Sequence, residues 1–411
     1  MKVRLDPRAA AASLALGLLL GGCAPEHGAD KEAGAWASPP SHLEGPEIRI
    51  GSPTDSAYAF GFVRTLAVAP NGTLYSIHAN PSEIRLWTAD GKPAGSVGRE
   101  GEGPGEFRSP MALGFFGDTL WVMDGFAYRV SLFSPEGEYL GGRTPTVRLS
   151  EHPEDRHSPP RPVRPLRDGT FYGISPAWSD AIARSQLDGV PHVHMDADGA
   201  TLDTLWWQAF EPHDILALLR ESGGTFGQQP FGDGSLVTLS PAEKLVVLER
   251  RVPDEPEGAA FRLTMLAMSG DTLTRRAYPY TPVPLPTALV DSMAHVQAEQ
   301  WHGFMTRFDQ GATVASLERD IRTAMYAPRF FPPVHTLVAA DDGSIWLGGF
   351  SREGQAREWK ILDASGSPRG RVLAPAGLRI MVVRGDQVWG VEMDELDVSY
   401  IVRYQVVRGE G

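Results

Sequence analysis

The stretch Asn71-Gly72-Thr73-Leu74-Tyr75 is a tight turn that leads directly into an apolar β-run. Related stretches recur at Gly117-Asp118-Thr119-Leu120-Trp121, Asp168-Gly169-Thr170-Phe171-Tyr172, Asp233-Gly234-Ser235-Leu236-Val237, Asp342-Gly343-Ser344-Ile345-Trp346 and Gly385-Asp386-Gln387-Val388-Trp389. From one first apolar residue to the next, the steps are 46, 51, 65, 109 and 43 residues. A period of about 40–50 residues with several short strands per unit is typical of propeller blades, which stack because one small sheet cannot bury both faces. We therefore predict an all-β, six-bladed β-propeller over residues 47–411.

The residues around each turn support this prediction. An apolar run such as Leu66-Ala67-Val68-Ala69 precedes the turn, and further β-runs such as Arg129-Val130-Ser131-Leu132-Phe133 follow it. Asn-Gly and Asp-Gly supply the positive φ that a tight hairpin needs. A β-sandwich also has turns every 8–12 residues, but it does not repeat a four-strand unit six times. We expect Glu47–Ile50 to be the outer strand of the last blade and to pair with Tyr400–Tyr404, since this closure removes an exposed edge.

The segment Gly98-Arg99-Glu100-Gly101-Glu102-Gly103-Pro104-Gly105-Glu106-Phe107 is followed by Leu120-Trp121-Val122-Met123-Asp124 and then by Arg129-Val130-Ser131-Leu132-Phe133. This order resembles the NHL repeat, in which a Gly-rich connection precedes each blade. The chain is most similar to six-bladed NHL-like propeller lipoproteins of bacteria. The resemblance covers Val63–Leu140 and Val334–Val407. Because another strand rather than a helix follows the Gly-rich segment, we interpret it as a connection between blades and not as a phosphate loop.

The first residues have the pattern of a bacterial lipoprotein signal. Basic residues Lys2, Arg4 and Arg8 precede an apolar run of 12 residues, which has the length of a signal region and is too short to span a bilayer. The run ends in Leu20-Gly21-Gly22-Cys23, which resembles a lipobox and contains the only cysteine of the chain. This resemblance implies cleavage after residue 22 and acylation of Cys23, with palmitate as one expected chain. Residues 23–46 are rich in Ala, Gly, Pro, Ser and Glu and are expected to form a flexible tether.

The longest gap between repeats is predicted to contain a helical insertion at about 287–327, between blades 4 and 5. Val290, Met293 and Val296 recur at helical spacing, and Leu317 and Ile321 begin a second amphipathic set. The insertion would either cover apolar surface on one rim of the propeller or serve as a lid or partner-binding element.

The chain has a formal net charge of −13 at pH 7. Nucleic-acid binding depends on neutralisation of phosphates by Lys and Arg, so this balance disfavours nucleic acid as a partner. An acidic run at Glu392, Asp394, Glu395 and Asp397 lacks the spacing of an EF-hand calcium loop and is better explained as a solvated strand and turn.

No residue is assigned a catalytic role, because motifs such as G-x-S-x-G, H-E-x-x-H and C-x-x-C do not occur. His192 and His194 would lie on the same face of a strand, either as metal ligands or as ordinary half-exposed side chains.

Four residues after each first apolar residue, the six units carry His78, Asp124, Ser175, Ser240, Gly349 and Glu392. In a closed ring, blades 1, 2 and 6 are neighbours, so His78, Asp124 and Glu392 form either a weak candidate metal set or a group of polar strand ends in contact with water. We expect any ligand to contact this side of the ring, with help from Arg129 or Trp178. No resident cofactor is predicted, and a divalent metal is the one alternative.

Three functions remain open from the sequence. The leading hypothesis is a membrane-tethered, extracytoplasmic binding or scaffold module for a protein, peptide or glycan. The alternative is a metal-dependent hydrolase or lyase like the six-bladed lactonases and amidating lyases, and the third is a structural part of an envelope complex. For all three we expect a lipid-anchored location in the cell envelope, at the outer membrane of a Gram-negative bacterium.

Overall fold

The computed structural model describes residues 36–78, 83–146, 159–175, 189–220, 223–351, 354–396 and 398–408. Within these ranges the protein is built from short strands, most of them in four-stranded antiparallel sheets. Strand β1 spans Ser41–Ile50. The first complete sheet consists of β2 (Val63–Val68), β3 (Leu74–His78), β4 (Glu83–Trp87) and β5 (Pro93–Val97). After the two-residue strands β6 (Arg99–Glu100) and β7 (Glu106–Phe107), the second sheet contains β8 (Pro110–Phe116), β9 (Thr119–Asp124), β10 (Arg129–Phe133) and β11 (Tyr139–Arg143).

The third sheet contains β12 (Arg161–Pro165), β13 (Phe171–Ile174), β14 (Gly189–Met195) and β15 (Thr201–Ala209). A 3₁₀ helix (Pro212–Asp214) then leads into a hairpin of β16 (Ile215–Arg220) and β17 (Gly223–Gln228). The fourth sheet contains β18 (Leu236–Leu239), β19 (Leu245–Glu249), β20 (Ala260–Leu266) and β21 (Thr272–Pro279). Helices α1 (Thr287–Met305) and α2 (Val314–Ala324) follow. The last strands are β22 (Thr336–Ala339), β23 (Ile345–Gly348), β24 (Arg357–Leu362), β25 (Pro368–Ala374), β26 (Arg379–Arg384), β27 (Gln387–Met393) and β28 (Ser399–Val407).

The first and last parts of the described chain meet in one eight-stranded sheet, ordered β22-β23-β24-β25-β1-β28-β27-β26. The predicted pairing of Glu47–Ile50 with the C-terminal strand is confirmed, since Ile50 lies opposite Ile401 in antiparallel register. However, β1 begins at Ser41, six residues before the predicted start of order, and Ser41 and His42 also pair in parallel with β25. The sheets are therefore arranged as four separate four-stranded units and one eight-stranded unit, which is a propeller-like all-β arrangement rather than six separate sheets.

The first strands of neighbouring sheets run in the same direction. Arg379, at the start of β26, donates to the carbonyl of Val63 at the start of β2, over 2.6 Å. Arg384, at the end of β26, donates to the carbonyl of Ala69 just after β2. In every sheet, the first strand begins and the second strand ends at the same end of the molecule. We call this end the upper face; Val63, His78, Pro110 and Asp124 lie on it.

Apolar clusters hold consecutive sheets together. One such cluster joins Ile77 of the first sheet to Leu120 and Phe133 of the second sheet, with Phe107 of the Gly-rich connection between them. This connection makes a parallel β6–β7 pair and leads into β8, as expected for a link between blades. Its glycines permit close packing: a β-carbon at Gly98 would lie 2.2 Å from the ring of Phe107. The core is thus divided among the interfaces between sheets, as the stacking argument requires.

The fourth of the six predicted turns is wrong. Asp233-Gly234-Ser235 precedes β18, the first strand of its sheet, whereas the other five turns precede a second strand. The true turn lies between Leu239 and Leu245, and Glu243 adopts φ 58° there. Gly or Asn usually occupies such a left-handed position, and this turn has Glu there, so its sequence does not indicate a turn. Ser240 is consequently not equivalent to His78 and Asp124; the equivalent residue is Glu249, which ends β19.

The helical insertion packs against the hairpin of the preceding connection. Strand β16 and helices α1 and α2 share one apolar cluster, while β17 pairs with β16 and contacts α1; we call these four elements the lobe. Helix α1 buries Val290, Ala294 and Ala298 at intervals of four residues, while the predicted Val296 remains exposed. The small alanine side chains form the packed face because they let the helix approach closely. Since the lobe follows β15 and β21, which end at the upper face, it stands on that face.

Candidate functional site

His78 ends β3 at the upper face but is 1% exposed. Its Nε2 atom lies 2.8 Å from the Ser76 hydroxyl, and the ring of Phe60 lies 4.9 Å from the imidazole. Burial, together with the nearby charge of Arg85, lowers the pKa of His78 to about 4. The imidazole is therefore neutral near pH 7 and is sealed beneath Phe60 rather than in contact with water.

The side chains of Asp124 and Arg129 both form hydrogen bonds with backbone groups. One carboxylate oxygen of Asp124 accepts hydrogen bonds from the amides of Phe126 and Ala127, at 2.9 and 3.1 Å. The other oxygen accepts one from the amide of Arg108, at 2.7 Å. The guanidinium of Arg129 donates to the carbonyls of Glu102 and Glu106 in the Gly-rich connection. Both residues therefore shape loops of the upper face, because these carboxylate oxygens and the two terminal guanidinium nitrogens bind backbone groups of the protein.

Glu392 faces the outer strands of its own sheet. It accepts hydrogen bonds from the hydroxyl of Tyr404, at 2.6 Å, and from Arg49, at 3.3 Å. Within the described ranges, the one group of three potential metal ligands with atoms within 4.8 Å of one another is His213, Asp214 and Asp233. The side chains of His78, Asp124 and Glu392 do not form such a group, and the metal set suggested by the sequence stays a prediction. Two predicted sites, the lipidated Cys23 and the ligand-contacting Trp178, lie outside the described residues and stay predictions.

The two strand histidines bind different partners. His192 lies between the Tyr172 hydroxyl and the side-chain oxygen of Gln208, which is 2.8 Å from Nε2. His194 lies 2.8 Å from the hydroxyl of Thr170. Hydrogen bonding within the third sheet thus accounts for both imidazoles.

A charged cluster that the sequence did not indicate joins the lobe to the fourth sheet. Arg251, just after β19, donates to Asp233 at 2.7 Å and to Asp214 at 2.8 Å. Asp233 also accepts from the Tyr326 hydroxyl at 3.0 Å, and Tyr326 stacks on His213 with ring centres 4.1 Å apart. These five residues come from four separate segments of the chain, so no sequence spacing connects them. With the fourth turn placed between Leu239 and Leu245, Glu249 becomes the residue equivalent to His78 and Asp124. Arg251, two residues later, would then have been a candidate upper-face residue.

The electrostatics of this cluster are those of a structural ion pair. Burial raises the pKa of Asp233, but hydrogen bonds from the Val252 amide and from Arg251 outweigh burial and leave the pKa below its usual value. Burial and the charge of Asp233 raise the pKa of the Tyr326 hydroxyl, which stays protonated and donates. The guanidinium of Arg251 lies between the same carboxylate oxygens that a metal would use. The cluster therefore fastens the lobe to the fourth sheet instead of forming an open cation site.

Large apolar side chains project from the part of the upper face formed by the first sheet, the second sheet and strands β26–β28. Each of them is between 50 and 81% exposed. We call this set the apolar patch; its members are Phe62, Met111, Phe126, Met393 and Leu396. The guanidinium of Arg379 lies 5.1 Å from the ring of Phe62, and that of Arg108 lies 3.9 Å from the ring of Phe126. The lobe follows the third and fourth sheets, so the patch occupies the other side of the upper face.

No family model matches the chain, and no curated protein matches it by sequence. Among solved structures, it is similar to a member of the DUF4221 family from Bacteroides vulgatus, with 10% identity and a TM-score of 0.48 over 90% of this chain and 99% of that one. It is also similar to virginiamycin B lyase from Staphylococcus aureus in a structure with quinupristin, with 13% identity and a TM-score of 0.40 over 89% of this chain and all of that one. A third similar structure is YCF48 bound to D1 peptide, with 10% identity and a TM-score of 0.36 over 90% of this chain and all of that one. These similarities assign neither a ligand nor an activity to the chain, and the resemblance to NHL-repeat lipoproteins stays a prediction.

Among the described residues, neither helix is both long and apolar enough to cross a bilayer.

Proposed function

We propose that the protein is an extracytoplasmic binding module, anchored to the outer membrane of a Gram-negative bacterium through Cys23, whose apolar patch takes up apolar side chains of a protein partner. The observation that carries this proposal is the exposure of Phe62, Met111, Phe126, Met393 and Leu396 on one part of the upper face. Scattered exposed apolar residues are normal, but a set of large ones on one face is a feature of interaction sites.

The composition of the patch favours a protein partner over a glycan. Phe and Met are enriched at the cores of protein interfaces, and Met adapts to irregular apolar surfaces. At the edge of the patch, the guanidinium groups of Arg108 and Arg379 make cation–π contacts with the rings of Phe126 and Phe62. Each large apolar side chain that is fully buried on binding contributes roughly 1.5–3 kcal/mol.

The eight-stranded sheet is best explained as two blades. Its halves, β22–β25 and β26–β28 with β1, are joined by only two paired positions, Ser41 with Val372 and His42 with Leu373. The apolar cluster that contains Trp359, Val372 and Val402 joins these halves just as other clusters join the separate sheets. With this division the molecule has six blades, and the patch spans blades 6, 1 and 2.

Site-directed photo-crosslinking tests the proposed binding function. A benzoylphenylalanine at position 62 or 126, introduced in cells that express the protein natively, is expected to trap one discrete protein. After that partner is purified, the triple variant Phe62→Ser/Phe126→Ser/Met393→Ser should weaken its binding at least a hundredfold by calorimetry. This estimate assumes a loss of about 1.4 kcal/mol, or one factor of ten, for each of two side chains.

The matched control carries Leu140→Ser, Leu202→Ser and Leu273→Ser. These leucines are 49–58% exposed, similar to most of the patch, but they lie on the outer strands β11, β15 and β21. The control should bind as the native protein does. Equal trapping from outer-strand positions, or unchanged affinity of the patch variant, would show that the patch is not the binding surface.

A further inference from the structure

A cavity of about 400 Å³ opens between the segment that follows β21 and strands β23 and β24. It lies near the segment that leads from α2 into β22, on the lobe's side of the molecule and away from the apolar patch. Its volume falls within the range of about 300–1,000 Å³ that is usual for small-ligand sites. The cavity is therefore a candidate site separate from the patch.

The walls of the cavity are mainly apolar. Phe331, Pro332 and Val334 line it from the segment before β22, Leu347 and Phe350 line it from β23 and the following loop, and Val283 lies at the start of the insertion. Val283 is 48% exposed, so it stands at the mouth rather than in the depth of the site. Such walls favour an aryl or alkyl group.

Of the two charged side chains that line the cavity, the acidic one has an ion-pair partner and the basic one does not. Glu358 and Lys360 both line the cavity from β24. Glu358 is already paired with Arg371, whose guanidinium lies 2.8 Å from its carboxylate. Lys360 lies 4.9 Å from the ring centre of Trp36, and no carboxylate of the described residues forms an ion pair with it.

Lys360 is unfavourably placed unless an anion joins it. Burial lowers the pKa of its ammonium group, although the charge of Glu358 raises it. A lysine stem is commonly half-buried with its charged end in water, whereas this lysine lies beside an aromatic ring and lines a mostly apolar cavity. Tyr280 also lines the cavity, and its hydroxyl is buried without a hydrogen-bond partner among the described residues. Two donors are thus available to a bound acceptor.

We infer that this cavity binds an apolar group that carries a carboxylate, with Lys360 as the counter-ion, Tyr280 as a second donor and the aromatic and proline walls around the apolar part. A free aryl or alkyl acid has this chemistry, and so does the C-terminal residue of a peptide that ends in an apolar side chain. The inference concerns a site distinct from the apolar patch, and either one can fail without the other.

Two matched pairs of probes test the site by titration calorimetry on the protein. The first pair is 3-phenylpropanoate and 3-phenylpropanamide; the second is an acetylated tripeptide ending in phenylalanine, with a free or an amidated C-terminus. In at least one pair the carboxylate should bind about tenfold or more tightly than the amide, since a hydrogen bond to a charged group is worth more than a neutral one. The pair that shows the larger preference identifies the free acid or the peptide terminus as the source.

Lys360→Met keeps the apolar stem and removes the charge, and it should abolish the preference for the carboxylate. Val283→Trp, at the exposed mouth, should block all four probes without disturbing the core. Lys92→Met is the control, because this lysine is 72% exposed and lies in the turn between β4 and β5 of the first sheet. The inference is overturned if neither carboxylate binds at millimolar concentration, if acid and amide bind equally, or if Lys360→Met retains the preference.

Discussion

At the scale of single residues, buried carboxylates in this protein are satisfied in two ways. Asp124 accepts hydrogen bonds from backbone amides, two of them in the loop that follows it and one from Arg108, whereas Asp233 depends on side chains from other segments, chiefly Arg251 and Tyr326. Amide donors that follow the carboxylate in sequence form as the loop forms. Partners from distant segments form only when the lobe docks, so Asp233 couples the lobe to the fourth sheet.

Arg251→Met is expected to destabilise the protein by roughly 3 kcal/mol, since it leaves the carboxylate of Asp233 without its cation although that side chain is 2% exposed. Arg322→Met is the control: Arg322 is as exposed as Arg251, but its partner Asp291 is 57% exposed. Loss of such a surface pair changes stability by less than about 1 kcal/mol. Chemical unfolding measures both variants, and equal losses would contradict the structural role of the cluster.

His78 predicts a specific dependence of stability on pH. Its pKa is about 4 in the folded protein and about 6.5 when unfolded, so the unfolded chain binds more protons between these values. The stability associated with the neutral imidazole is therefore complete above pH 6.5 and is lost as pH falls towards 4, by about 3 kcal/mol in total. His78→Asn should remove this part of the pH dependence. Parallel unfolding free energies for the two proteins between pH 7 and 4 would rule out the neutral, buried histidine.

At the scale of elements, β1 is the strand on which the first and last parts of the described chain depend. It pairs with β28 along most of its length and with β25 at its first two residues. Ile48 and Ile50 are buried in the interface with the first sheet, beside Trp87 and Trp389. One strand therefore supplies hydrogen bonds to its own sheet and apolar contacts to the next.

Removal of β1 tests its importance. A variant that begins at Ser41 keeps β1 and loses the contacts of residues 36–40, chiefly the packing of Trp36 on Tyr278, so it should be less stable than a variant that begins at Trp36 but should still unfold cooperatively. A variant that begins at Gly51 should be less stable by at least about 3–6 kcal/mol, because it loses the burial of Ile48 and Ile50 and exposes the edge of β28. Calorimetry compares the three proteins. If the variants beginning at Ser41 and Gly51 melt together, β1 does not stabilise the arrangement.

At the scale of the whole molecule, the upper face is divided between the lobe and the apolar patch. Asp214 and Tyr326, at the ends of the lobe, bind Arg251 and Asp233 beside the fourth sheet, and the patch extends over the first and second sheets and β26–β28. The cavity with Lys360 lies on the side of the lobe. A partner bound to the patch and an acid bound in the cavity would therefore contact different parts of one face.

The sequence by itself determined the features that depend on neighbouring residues. Five of the six turns, the strands beside them and the two helices within 287–327 lie where local patterns predict, because turn geometry and apolar periodicity are properties of short segments. The same reasoning failed at Glu243, where the left-handed residue is not glycine. It also failed along α1, where alanines rather than Val296 form the packed face.

Only the tertiary structure decided what the candidate site residues do. His78, Asp124 and Glu392 occur at matching places in their repeats, but their side chains turn to Ser76, to loop amides and to Tyr404, and so they do not meet. The cluster around Arg251, the apolar patch and the cavity around Lys360 each combine residues from distant segments. Their chemistry depends on which strand ends and loops the fold brings together, and on which charges it leaves unpaired, and neither is a property of residues adjacent in the chain.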